Sequence, residues 1–115
     1  MITMTAPRVE FDDCDYSDAQ ELLHDGEPYT GVVVETAAGG RLMSEQSFKR
    51  GIPDGLSRVW FDNGQLSNET VFDFGLPQRL RQWHRNGQLR REVTYDSRGQ
   101  AVTDSAWDES GRPAG

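Results

Sequence analysis

Asp13, Asp15 and Asp18 place three carboxylates at short spacing, as a calcium loop would. An EF-hand loop opening at Asp13 needs Gly at its sixth position and a bidentate Glu at its twelfth. Those positions hold Asp18 and His24, so no metal site is expected there. Cys14 is the single cysteine, and His24 and His84 are the two histidines. A thiol–imidazole nucleophile also needs a third group to orient the base and donors for the developing charge. The neighbouring sequence supplies neither. Gly39-Gly40 reads as a turn, not as a phosphate-cradling loop. The expectation is a chain without catalytic residues or cofactor. An enzyme working in a groove of the fold would have to draw on the aspartates near Cys14 and on the histidines.

The other reactive-looking constellation is basic and aromatic. Arg79, Arg81, Arg85, Arg90 and Arg91 fall together with no acid between them. Arg79, Arg81, Trp83 and Arg85 alternate, so in a strand they share one face. Such a face could hold a carboxylate, a phosphate or a stacked single strand. The net charge of −7 opposes nucleic acid at long range. No polybasic run offers itself to a lipid surface. A protein contact is expected instead, with no nucleic acid and no membrane as partner.

The charge is unevenly spread. Residues 1–30 carry eight acids against Arg8, which is the whole of the net charge, and the other 85 residues carry eleven acids and eleven bases. An acidic N-terminal arm of this kind suits a basic partner, although a solvated, solubilising segment has the same composition. Asp12, Asp13, Asp15 and Asp18 are the candidate contacts. The hydrophobic fraction of 35% argues for a thin sheet rather than a thick two-layer core. Met1–Glu10 has no apolar stretch of signal-peptide length, and a lone cysteine gives no internal disulfide. Cytoplasmic residence is the expectation.

The elements that must position these groups repeat about every 24 residues. Gly26-Glu27-Pro28, Gly51-Ile52-Pro53 and Gly75-Leu76-Pro77 form one series. Gly40-Arg41-Leu42, Gly64-Gln65-Leu66, Gly87-Gln88-Leu89 and Gly111-Arg112-Pro113 form the other. Trp60, Trp83 and Trp107 each stand four residues before one of the last three glycines, and Glu45, Glu69 and Glu92 stand five residues after the first three. Asn63-Gly64 and Asn86-Gly87 predict two-residue type I′ hairpin turns, since both central residues there need φ > 0. The Gly-x-Pro elements then make looser connections, because neither residue suits a central strand.

A two-residue loop at Asn63-Gly64 sets Phe61 opposite Leu66, Trp60 opposite Ser67 and Arg58 opposite Glu69. The next hairpin sets Trp83 opposite Arg90 and Arg81 opposite Glu92. The recurring Arg–Glu pair reads as structural, because it travels with the repeat. Trp60, Trp83 and Trp107 would form a stripe across the sheet, serving as a small core or as a platform for a partner. A strand is expected from about Leu22, and Asp108–Gly115 reads as a frayed end.

The segments "YTGVVVETAAGGRLMSEQSFKRG", "PDGLSRVWFDNGQLSNETVFDFG" and "QRLRQWHRNGQLRREVTYDSRG" resemble the variant MORN repeats of bacterial proteins labelled as antitoxin components. The pattern Trp-aromatic-x-Asn-Gly-Gln-Leu-x-x-Glu is met from Trp60 to Glu69, and from Trp83 to Glu92 with His84 in the aromatic place. The resemblance covers about Leu22 to Gly111. It implies an elongated antiparallel sheet with a binding role, and a toxin partner by label. The chain departs from the pattern at Thr36, where later copies have Trp, and at Arg79, in the region where Gly55 has no counterpart. Lys49 is its only lysine.

The fold expected is all-β: a single-layer twisted antiparallel sheet of consecutive hairpins, with a short N-terminal capping segment. Residues 1–21 would be the acidic arm, 22–112 the repeat sheet and 113–115 a tail. The function expected is that of a non-enzymatic antitoxin or immunity protein that neutralises a protein partner such as a basic toxin domain. Its contacts would be the four aspartates with Arg58, Trp60, Arg79, Arg81, Trp83 and Arg85. The alternative is a scaffold that binds a peptide or small ligand on its sheet. A free sheet edge would also allow a homo-oligomer.

Overall fold

The computed structural model describes residues 7–114. The chain runs through β1 (Arg8–Glu10), a 3-10 turn (Phe11–Asp13), β2 (Cys14–Tyr16), β3 (Leu22–His24), β4 (Glu27–Pro28), β5 (Gly31–Thr36), β6 (Leu42–Lys49), β7 (Ile52–Trp60), β8 (Leu66–Asp73), β9 (Leu76–Trp83), β10 (Leu89–Tyr95) and β11 (Ala101–Ala106). It is all-β. Eight strands form one open sheet in the order β1-β5-β6-β7-β8-β9-β10-β11, and β2-β3-β4 form a small second sheet. From β5 onward every neighbour is the next strand in sequence and antiparallel to it. The edge strand β1 is parallel to β5, with Glu10 beside Val34.

Of the arm expected over residues 1–21, residues 1–6 lie outside the described residues; the rest is folded and uses the same turn as the repeats. Gln20 N–H donates to Ser17 O and Ser17 N–H to Glu21 O, both at 2.9 Å, with Gln20 at φ 66° where other copies have glycine. The boundary expected between residues 21 and 22 therefore falls where this turn meets β3. The end of the described chain is also ordered. Trp107 bridges to Pro113, and Ala114 N–H donates to Ala106 O at 2.9 Å, so the frayed end expected from Asp108 is a closed turn up to Ala114.

The two turn series exchange the roles expected for them. At Asn63-Gly64 only the glycine has positive φ, +85°. Gly64 N–H donates to Phe61 O at 3.0 Å, and Phe61 N–H to Gln65 O at 2.8 Å. This is a three-residue loop: a type I turn closed by a glycine bulge. The type I′ turns lie at the other edge. Both central residues have positive φ at Asp25-Gly26 (54° and 81°), Arg50-Gly51 (52° and 80°) and Phe74-Gly75 (41° and 88°). Pro53 and Pro77 accordingly sit inside strands flanked on both sides, against the expectation. Register shifts between Gln46 and Phe48, and between Val71 and Phe72, accompany them. Proline inside a sheet needs such a bulge because it cannot donate to the ladder.

Each hairpin's extra loop residue is offset by a bulge. Trp60 pairs with Leu66 rather than Ser67, yet Val59 pairs with Asn68 and Arg58 with Glu69. Likewise Trp83 pairs with Leu89 rather than Arg90, and Arg81 still meets Glu92. Two one-residue offsets cancel, so the Arg–Glu register survives a wrong turn type.

The hydrophobic core lies where the small sheet meets the large one. Leu22, Val33 and Phe48 are buried there, with Val9, Cys14 and Tyr29 packed against them. Leu22 N–H donates to Gly51 O at 2.8 Å and Gly51 N–H to Tyr29 O at 2.7 Å, which stitches the two sheets together. Beyond this junction most strand residues are half-buried, as a single layer requires. The Cα radius of gyration, 15.9 Å, exceeds the roughly 13 Å expected of a compact chain of this size. The extents of 46 × 39 × 37 Å show a coiled ribbon rather than the elongated one expected, because strand twist accumulates across an open sheet.

Candidate functional site

A row of alternating charge crosses the large sheet. Glu45, Arg58, Glu69, Arg81 and Glu92 are successive cross-strand neighbours, and Ser105 ends the row on β11. Arg58 Nε donates to Glu69 Oε2 at 2.9 Å, Arg81 Nε to Glu92 Oε2 at 2.6 Å, and Arg8 reaches in from β1 to Glu45 at 2.6 Å. A cross-strand Arg between two Glu columns stabilises the stacking of one repeat on the next. Arg58 and Arg81 are thus committed to the sheet.

Arg85 is committed too, though it lies in a turn and not on the strand face with Arg79, Arg81 and Trp83. Its guanidinium sits 5.3 Å from the Phe61 ring centroid and bonds the Asp62 carboxylate. That bond holds the Asp62 carboxyl below the usual carboxylate range. Arg91 grips Asp104 with two bonds, at 3.0 and 2.7 Å, and lowers it in the same way. Three of the five arginines of the basic cluster are therefore paired with acids from neighbouring strands and turns. Arg79 and Arg90 have no ion-pair partner among the described residues.

Turn stacking orders one margin of the sheet. Asn63 Nδ2 donates to Arg85 O at 3.3 Å, and Asn86 Nδ2 to Glu109 O at 2.9 Å. In each turn the Asn Oδ1 accepts a backbone N–H two residues on, from Gln65 and from Gln88, both at 2.9 Å. His84 Nε2 donates to the Trp107 carbonyl at 2.8 Å, which fixes its tautomer. The three tryptophans form no aromatic ring pair with one another among the described residues. Trp60 borders a shallow cleft with Met43, Ser44 and Val59, while Trp83 borders another with Phe61 and Arg90. Among the described residues the aromatic ring pair is His24 with Tyr29.

The uncompensated charge gathers at the N-terminal end. Glu10, Asp12, Asp13 and Glu35 line a cleft of about 450 Å³ together with Phe11 and Thr36. Thr36 Oγ1 donates to Glu10 at 3.3 Å, tying β5 to β1. Asp12 and Asp13 come from the 3-10 turn, while Asp15 lies on β2 and Asp18 in the turn that follows it. All four are exposed, and none has an ion pair among the described residues. Phe11 is 38% and Tyr16 53% exposed beside them. Sequence reasoning named the four aspartates and missed Glu10, Glu35 and the two aromatics. Glu35 could not have been found locally, because the parallel pairing of β1 with β5 brings it there.

Cys14 stands directly opposite His24 across β2 and β3, and His24 Nδ1 is 3.6 Å from Asp25 Oδ2. The three residue types of a thiol nucleophile are thus near one another. The chemistry runs the other way. Burial, and then the charges of Asp13 and Asp15, push the Cys14 thiol up from its ordinary value. The thiol lies 3.6 Å from Glu10 O, to which it donates. A protonated thiol donating to a carbonyl is a packing group rather than an activated nucleophile. Among the described residues no group of three or more metal-ligating side chains is placed to hold an ion. No helix is long and apolar enough to cross a membrane.

No protein-family profile matches the chain, and no curated protein does. Among solved structures, the crystal structure of accessory secretory protein 1, 2 and 3 in Streptococcus pneumoniae aligns at 16% identity with a TM-score of 0.33. The alignment covers 96% of this chain and 21% of that one, so this chain spans about a fifth of the length of its match. A likeness of that size assigns no role.

Proposed function

We propose that this chain is a non-enzymatic protein-binding module of the MORN-variant type, whose acidic N-terminal hairpin docks on and neutralises a basic protein partner, as an antitoxin or immunity protein does. One observation carries the reading. Arg58 and Arg81 bond Glu69 and Glu92, and Arg85 and Arg91 bond Asp62 and Asp104, whereas Asp12, Asp13, Asp15 and Asp18 lie close in sequence to the exposed Phe11 and Tyr16 and have no cationic partner among the described residues. A solubilising segment needs the charge and not the rings. Aromatic anchors within a charged rim are how protein interfaces combine affinity with fast, steered association. The up-shifted Cys14 thiol supports binding over catalysis.

The test is capture from native cytosol with the 115-residue protein beside a variant carrying D12K, D13K, D15K and D18K, read by mass spectrometry. The reading requires a stoichiometric basic protein that the variant loses. A partner retained by the variant, or an acidic one, overturns it. With the partner in hand, the wild-type association rate should fall steeply as salt rises, and F11A with Y16A should instead speed dissociation.

A further inference from the structure

We propose that the cleft between Trp83 and Arg90 is a binding site for a small anion carried on a flat ring, such as an aryl or nucleoside phosphate or an aromatic carboxylate. The cleft measures about 430 Å³, within the roughly 300–1,000 Å³ typical of small-molecule sites. Trp83 and Phe61 line it with Arg90, Arg85 and His84. The inference does not rest on the acidic hairpin.

Arg90 is the extra residue where the register shifts between Leu89 and Arg91. A bulge re-aims the side chain it carries. The Arg90 carbonyl accepts from Trp107 N–H at 2.8 Å, so its backbone is held. The repeat does not demand a cation here: the matching position of the previous hairpin is Ser67, whose hydroxyl bonds Asn68 Oδ1 at 3.1 Å. The cleft beside Trp60 holds no arginine. Arg81, Arg85 and Arg91 all have acids, whereas Arg90 has none among the described residues. Glu109 also lines the cleft; its backbone carbonyl accepts from Asn86 Nδ2, and its carboxylate has no ion-pair partner among the described residues, so a bound anion must be held by Arg90 against it.

The surrounding groups are already positioned. Arg85 is pinned over Phe61 by Asp62, and His84 donates its Nε2 proton to Trp107 O. A ring resting against Trp83 would put its anionic substituent within the reach of Arg90. Arginine beside an aromatic face binds such ligands by charge-assisted hydrogen bonds and by stacking together.

The test follows the indole N–H resonance of Trp83 in the 15N-labelled protein, assigned with W83F. Phenyl phosphate and benzoate should each shift it saturably. Phenol and inorganic phosphate, which carry the ring or the anion alone, should bind at least about tenfold more weakly. R90Q should weaken the ring anions about tenfold, while R91Q, which removes the partner of Asp104, should leave them unchanged. Thermal melts of R90Q should match the wild type, since Arg90 is exposed. Absence of a saturable shift, equal binding of phenol and phenyl phosphate, or undiminished binding in R90Q overturns the proposal. A phenyl phosphate response without a benzoate one would assign the site to phosphates, and the reverse to carboxylates.

Discussion

Replacing Gly51 with alanine should damage this protein far more than the same change at Gly64, although both glycines close hairpin turns. Gly51 has φ +80° and Gly64 φ +85°, so each substitution forces an L-residue into the left-handed region at about 1–2 kcal/mol. A Cβ at Gly64 meets nothing within 4 Å, whereas one at Gly51 would lie 2.8 Å from Leu22 O, 2.9 Å from Glu21 Cβ and 3.0 Å from Leu22 N. Backbone cannot rotate aside as a side-chain tip can. Relief requires β3 to move, and Leu22 is fully buried against Val33 and Phe48. Overpacking of this kind costs about 1–3 kcal/mol. The two hydrogen bonds that Gly51 exchanges with Leu22 and Tyr29 would stretch as well, at about 1 kcal/mol each. G64A should therefore lose about 1–2 kcal/mol, and G51A about 4–7 kcal/mol, much of the roughly 5–15 kcal/mol a domain commands. Urea unfolding followed by tryptophan fluorescence and circular dichroism reads both, with the m-value checking that each remains two-state. Equal losses would refute the claim that this junction, rather than turn geometry alone, holds the two sheets together.

Glu69 bonds Arg58, faces Arg81 and is only 14% exposed at its side chain, so E69Q should cost about 1–2 kcal/mol in urea unfolding and persist at high salt. D104N at the exposed pair with Arg91 should cost less, and that loss should vanish with salt. N63A removes both the bond to Gln65 N–H and the bond to Arg85 O, for about 1–2 kcal/mol, while N63D keeps the first and should fall between N63A and wild type. Because the folded-state pKa of Cys14 is raised, its contribution is fully present below the unfolded thiol value near 8.5 and is lost as pH rises through the folded value. C14A should flatten that alkaline decline, and iodoacetamide should alkylate native Cys14 more slowly than a free thiol at the same pH. Asp62 has the opposite sign: its pKa is depressed, so its contribution is present above about 4 and is lost as pH falls through the folded value. D62N should therefore reduce the acid sensitivity of the Phe61–Gly64 turn, read by amide exchange.

The sheet, its strand order from β5 onward and the Arg–Glu columns were legible in the order of the residues. These follow from period, since residues that recur about every 24 positions in a hairpin array fall on one row at every second strand, with the residues of the intervening strands between them. The columns were legible even though the turn types were not. A glycine bulge adds one residue at the loop, a second bulge absorbs it, and Arg58 and Arg81 still meet Glu69 and Glu92. Turn type was misread because Asn-Gly suits two loop geometries, and Arg50 and Phe74 carry no mark of the positive φ they adopt. The hairpin of β2 and β3 was hidden for a similar reason, with Gln20 standing where its turn would announce a glycine.

Tertiary structure alone decided which charges remain free. Asp62 meets Arg85 across 23 residues and Arg91 meets Asp104 across 13, so a run of arginines that reads as a basic patch is mostly neutral in the fold. It also decided the acidic cleft, because the parallel return of β1 alongside β5 sets Glu10 and Glu35 at one site. Local pattern encodes what a strand does with the strand after it. Ion pairs between turns and the closure of a small sheet over a large one depend on how the whole ribbon coils, and no window of residues contains that.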